Sequence, residues 1–146
     1  MINRFRGEYY FLSNFYESPI LYDGIQYQNA EAAFQAQKCA IKADRHAFSG
    51  LNATEAKKLG RQVSLRSDWE SVKVNIMRDV VRTKFLKNPE LSQKILATSE
   101  EYLEEGNTWG DRVWGTVNGS GANLLGKILM EVREELKITE NECQGE

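Results

Sequence analysis

Glu31 and Lys38 lie seven residues apart in the run Glu-Ala-Ala-Phe-Gln-Ala-Gln-Lys, whose alanines and glutamines favour a helix. Seven residues are close to two helical turns, so with Gln35 the pair shares one face about 10 Å long. That spacing fits a solvated helix face. That is the reading spacing alone favours; the other is a site in which a partly buried lysine of lowered pKa attacks a carbonyl or imine carbon while the glutamate moves protons. A second group lies in residues 106–121, GNTWGDRVWGTVNGSG, which hold five glycines and two tryptophans. Trp109 and Trp114 flank Asp111 outside any amphipathic pattern, and spacing alone places one ring in the core and the other beside a planar ligand. The glycine-rich stretch from Gly115 through Gly121 to Asn123 feeds a helix N-terminus and could hold phosphate on backbone N–H groups, although a plain loop also fits.

Other chemistries lack their residues. A single histidine, His46, cannot be both a zinc ligand and a triad base, and Cys39 and Cys143 are far apart with no CxxC. No metal and no redox cofactor is therefore expected. No strand precedes the glycine-rich stretch, so neither a P-loop nor a Rossmann fingerprint is present. The net charge of −2 gives no prior for nucleic acid. Its distribution is uneven: residues 55–94 carry ten basic and five acidic groups, and residues 95–146 carry four and eleven. Lys57, Lys58, Arg61 and Arg66 in the basic stretch suit either a phosphate-rich ligand or a solvated helix face. No run approaches the length of a membrane span, and the first residues have no apolar signal core, so a cytoplasmic protein without a membrane partner is expected.

The elements that must position these residues follow from local signals. Asp23-Gly24 within Ile20–Tyr27 marks a tight hairpin with a type I′ turn. Asn29 can cap a helix through about Lys42, with Phe34 and Ile41 as apolar contacts. Asn52 with Glu55, and Ser67 with Glu70, have capping-box spacing, the first for a short helix ending near Gly60 and the second for a long one to about Lys87. Val72, Ile76, Val80 and Met77, Val81, Phe85 give that long helix its apolar stripe. Asn88-Pro89 opens a further short helix. Leu125, Leu129, Val132 and Leu136 mark a last helix over about 122–137, followed by a tail, 138–146, expected to fray. The sum is one mostly helical α+β domain over residues 1–146 with a small N-terminal β-hairpin.

The order of several blocks resembles the NADAR family, the YbiA-like N-glycosidases, from about Phe5 to Leu136. The blocks are Phe11-Leu12-Ser13-Asn14-Phe15, Glu31 to Lys38, and Gly60-Arg61 with Leu65-Arg66-Ser67-Asp68-Trp69-Glu70. Lys84-Phe85, Asp111-Arg112-Val113-Trp114-Gly115 and Gly121 to Met130 follow. The sequence departs from many members at Gln28, where they have proline, and near Ala32 and Ala33, where they have histidine or another aromatic.

The resemblance implies a compact, mostly helical α+β fold and hydrolysis of an N-glycosidic bond. It implies two substrate classes: ADP-ribose on guanine of nucleic acid, with a cognate ADP-ribosyltransferase toxin as the partner system, and the phosphoribosylamino-pyrimidines of riboflavin synthesis. Its functional residues fall on Glu31, Lys38, Trp69, Asp111 and Trp114, with Asn14 and Asn123 as additions. Both substrates join ribose C1 to an exocyclic amine, which can open to an imine. Two mechanisms are then open. Glu31 and Asp111 could flank C1 as paired carboxylates. Alternatively Lys38 attacks the imine carbon with Glu31 as general acid–base and Asp111 placing the ribose hydroxyls or water, the route preferred here. Trp69 and Trp114 are expected at the base or sugar and Gly115 to Asn123 at phosphate. A non-catalytic module that binds ADP-ribose or a nucleotide, and a purely structural partner domain, are the rival readings.

Overall fold

Two strands, β1 (Glu17–Tyr22) and β2 (Ile25–Asn29), form an antiparallel hairpin in the computed structural model, which describes residues 1–144. Asp23 and Gly24 both take positive φ, 48° and 83°, as a type I′ turn needs. Tyr27 pairs with Ile20, and Ile25 pairs with Tyr22. The register breaks between Glu17 and Ile20, where Pro19 has no N–H to donate. Contacts divide the chain into two compact units: Asn14–Lys84, and Met1–Ser13 with the chain from Phe85 onward.

In the unit Asn14–Lys84, the hairpin leads directly into α1 (Ala30–Ala36). Asn29 Oδ1 accepts from the Ala32 amide at 2.7 Å, and its Nδ2 donates to the Leu51 carbonyl, so one side chain caps the helix and ties down a distant loop. Ala30, Ala32, Ala33 and Ala36 are all buried, and their small side chains let α1 lie close to the hairpin and to α2 (Ala53–Gly60). Ile20, Ile25, Tyr27, Phe48 and Val80 complete that core. The capping box of α2 forms in full, with Asn52 Oδ1 accepting from Glu55 N and Glu55 Oε1 accepting from Asn52 N. Next comes α3 (Trp69–Leu86), whose first turn hangs on the Asp68 carbonyl, an acceptor for the Ser71 and Val72 amides.

The helix expected through Lys42 stops at Ala36. Amides of Gln37, Lys38 and Cys39 bond three residues back, Cys39 bridges to Leu65, and the Arg66 amide donates to the Lys38 carbonyl at 2.9 Å. Tertiary partners thus take the backbone groups that a longer helix would have used. Ile41 is correspondingly exposed and makes no core contact of the kind expected from its spacing.

The other unit is built on α4 (Pro89–Leu96) and α5 (Leu124–Gln144). Pro89 opens α4 and Asn88 Oδ1 caps it from the Leu91 amide. Leu125, Leu129, Val132 and Leu136 are buried along α5, and buried Arg133 donates to Thr98 Oγ1 and the Glu101 carbonyl. The helix runs past the boundary near residue 137 that the apolar repeat implied. The last two residues of the tail expected to fray, 145 and 146, lie outside the described residues. Residues 106–121 are irregular, as their glycines implied. The N-terminal segment lies beside this loop's entrance, with Ile2 bridged to Leu103 and the Gly106 amide on the Asn3 carbonyl.

Candidate active site

Glu31 sits in the first turn of α1 with its side chain buried. Its amide donates to the Asn14 carbonyl at 3.0 Å, and Asn14 Nδ2 reaches Met77 Sδ at 3.3 Å. Asn14 therefore locks the entry of α1 through its backbone while its side-chain amide donates inside the fold. Gln35, one turn on, donates from Nε2 to Glu31 Oε1 at 2.9 Å. The face that spacing alone left open to solvent is interior: every residue of α1 is buried.

Lys38 stands just beyond the helix in the turn clipped by Arg66, half-buried, with Nζ 5.9 Å from the centroid of the Trp69 ring. The Trp69 ring is buried and lies 5.1 Å from that of Phe34, tilted by 52°. It is at once a packing residue and the wall beside the amine. Burial holds the Lys38 amine below the ordinary lysine value; Glu31 opposes this, while Arg61, Lys57 and Lys73 add to it. Burial and the three cations outweigh the carboxylate. The structure thus groups Glu31, Gln35, Lys38 and Trp69 within one unit.

Asp111, Trp114, Gly115, Gly121 and Asn123 lie together in the other unit. Asp111 Oδ1 accepts from the amides of Val113 and Trp114, both at 2.9 Å, and Asn107 brackets Asp111 with two hydrogen bonds of its own. The carboxylate folds the turn that presents Trp114. Neither loop tryptophan is in the core: Trp109 is 53% exposed and Trp114 half-buried, which corrects the expectation that one ring would be interior. Of the four residues between them, Gly110, Arg112 and Val113 are exposed and Asp111 is half-buried, so this stretch encloses neither indole. Gly115 is buried where a Cβ would lie 2.9 Å from Asn107 Nδ2. Asn123 Oδ1 accepts from the Glu105 amide and its Nδ2 donates to the Leu103 carbonyl. The amides of Thr116, Val117, Ser120, Ala122 and Asn123 all donate to backbone carbonyls, so the loop's own folding uses donors that a phosphate would need.

Residues 3–137 match the NADAR domain family. The chain belongs to that family. N-glycosidase YbiA of Shigella flexneri is 42% identical over 130 residues, which cover 86% of this chain and 81% of that protein. Riboflavin biosynthesis protein VVA0006 of Vibrio vulnificus is 38% identical over 131 residues; they cover 87% of this chain but only 35% of that longer protein. The solution structure of Escherichia coli YbiA superposes with a TM-score of 0.83 at 37% identity, covering 97% of this chain and 90% of that one. The mostly helical α+β fold with its small hairpin is therefore the fold of a NADAR domain.

One residue of this NADAR domain, quoted above only as part of a block and assigned no role there, is made conspicuous by the structure. Lys84 is 4% exposed, its Nζ 5.7 Å from the Tyr16 ring centroid, and burial pushes its pKa down to about 7. The signal was available: Lys84 follows Val80 and Val81 by four and three residues and so shares the buried stripe of α3. Among the described residues, no cluster of His, Cys, Asp or Glu could hold a metal ion, and no helix is long and apolar enough to cross a membrane.

Proposed function

We propose that this N-glycosidase of the NADAR family cleaves the bond between ribose C1 and an exocyclic amine, with Lys38 as nucleophile and Glu31 as general acid–base. The observation that carries the reading is the Lys38 amine, held below its ordinary pKa beside Trp69 and electrostatically coupled to Glu31. A neutral amine has a free lone pair for attack, and an adjacent carboxyl supplies and removes protons. The ring oxygen takes a proton from Glu31 as the C1–O bond breaks, and the nitrogen lone pair makes an open-chain imine at C1. Lys38 Nζ adds to C1, a proton passes to the exocyclic nitrogen, and the base departs as its free amine. Water then adds to the lysine imine, releases the sugar aldehyde and restores Lys38. One water is consumed, as hydrolysis requires. Trp69 shields the amine from bulk water and lines the base or sugar.

The alternative with paired carboxylates draws on Asp111, whose Oδ1 already holds two amides. We assign Asp111, Gly115 and Asn123 to shaping the loop that carries Trp114. The substrate is a glycosylamine bearing phosphate, either ADP-ribosylated guanine in nucleic acid or a phosphoribosylamino-pyrimidine, met in the cytoplasm. The name of the Vibrio vulnificus relative favours the metabolite, and with nucleic acid a cognate ADP-ribosyltransferase toxin would be the partner system. Incubating EDTA-treated protein with each substrate and measuring the free base tests this. Release from either is expected, and release from neither would overturn it.

A further inference from the structure

Gln35 leaves half of its amide unused. It is 6% exposed, its Nε2 donates to Glu31 Oε1 at 2.9 Å, and its Oε1 is buried with no hydrogen-bond partner. A buried carbonyl without a donor costs free energy, so something else must fix this orientation. Turning the amide over would set carbonyl oxygen against carboxylate oxygen, two acceptors with no proton between them. The carboxylate of Glu31 therefore decides which way Gln35 points.

Gly60 makes room for the unpaired carbonyl. A Cβ at that position would collide with Gln35 Oε1 and lie 2.8 Å from Cδ and 3.3 Å from Cβ of the same side chain. Gly60 is buried at the end of α2, which packs on α1. Its φ is not among the positive ones, so the glycine answers a need for space and not for an unusual backbone. Glycine is a poorer helix residue than alanine, and here the smaller residue stands inside a helix against an unsatisfied amide. Both features run against stability and serve the same contact.

We propose that Gln35 is a positioning residue for Glu31, holding the plane and the charge of its carboxylate, and that Gly60 is the seat that allows it. The role rests on the reading of Glu31 as the proton carrier. A hydrogen bond donated to a carboxylate favours its ionised form and stops its rotation, so the bond sets both the direction and the pH of proton transfer.

Gln35→Met keeps the length and bulk of the side chain without its donor, and Gly60→Ala displaces the amide from the other side. In both, the pH midpoint of the Glu31 carboxyl, followed by carbon NMR, is expected to move up. Turnover on a phosphoribosylamino-pyrimidine is expected to fall by about tenfold or more, with KM changed by less than about twofold. Gly60→Ala added to Gln35→Met is expected to leave the Glu31 midpoint where Gln35→Met puts it, since the donor it would displace is already gone. If Gln35→Met does not fold, Gly60→Ala alone makes the same two measurements. An unmoved Glu31 midpoint with wild-type turnover overturns the proposal. A Glu31→Gln protein with normal turnover would instead refute the reading of the site, while the NMR midpoint would still decide what Gln35 does.

Discussion

Replacing Lys84 with methionine should make the protein more stable at neutral pH and flatten its stability profile above pH 7. Burial lowers the Lys84 pKa from 10.5 to about 7. That drop is worth on the order of 5 kcal/mol against folding wherever the amine is protonated in both states, at 1.36 kcal/mol per pH unit. Below about pH 7 the folded and unfolded chains both carry the proton, and the full penalty stands. Between about 7 and 10.5 the unfolded chain binds the proton and the folded chain does not, so stability climbs with pH by up to about 1.4 kcal/mol per unit. Above that range both are neutral and the penalty is gone. Lys84→Met retains the apolar stem among Val80, Val81 and the Tyr16 ring and removes the titration. Imperfect packing of the thioether and the amine's forfeited polar contacts, the Tyr16 ring among them, together offset about 2–4 kcal/mol, so a gain of roughly 1–3 kcal/mol at pH 6 is expected. Urea denaturation of both proteins from pH 6 to 9.5 measures it, and their difference cancels every other titrating group. The gap should narrow steadily as pH rises. Parallel profiles would mean that the Lys84 ammonium is well solvated in the native fold, and the reasoning from burial would fail.

With Lys38 as the proposed nucleophile, its lowered pKa should place an ascending limb in the pH–rate profile, activity appearing as the amine loses its proton. Arg61 is one of the cations holding that value down, so Arg61→Met should move the limb to higher pH, and an unmoved limb would show that the rate follows another group. Trp69→Ala should cost about 3–5 kcal/mol of stability as well as turnover, since the ring is buried on Phe34; thermal melts beside kinetics check both. Trp114→Ala, at a half-buried loop ring, should raise KM with a loss of stability under about 2 kcal/mol, and the reverse pattern would make it a packing residue.

Elements defined by a few adjacent residues were legible in the sequence. Asp23-Gly24 needs positive φ, Asn52 and Glu55 need only each other, and Asn88-Pro89 starts a helix whatever surrounds it. The apolar repeat of α5 is as local. What escaped depends on distant partners. The end of α1 is set by a hydrogen bond from the Arg66 amide, twenty-eight residues beyond the Lys38 carbonyl that receives it. The polar face of Glu31, Gln35 and Lys38 reads as solvated because periodicity does not show that the hairpin and α2 cover a helix of alanines. Resemblance to a family, not spacing, singled out that face as a site. The loop tryptophans misled for a related reason: a ring outside any periodic pattern gives no clue to how many neighbours surround it. In the glycine-rich stretch, free amides were inferred from composition, whereas most of those donors close the loop on itself.

Borohydride trapping during turnover tests the central claim most directly, because only a lysine imine is reduced to a stable secondary amine on the protein. With a phosphoribosylamino-pyrimidine or ADP-ribosylated guanine DNA as substrate, mass spectrometry should find a sugar adduct on Lys38 of the wild-type protein. Lys38→Ala should show neither adduct nor turnover. A Lys38→Ala protein that cleaves at near the wild-type rate, with no adduct on the wild type, would contradict the account and return the chemistry to carboxylates.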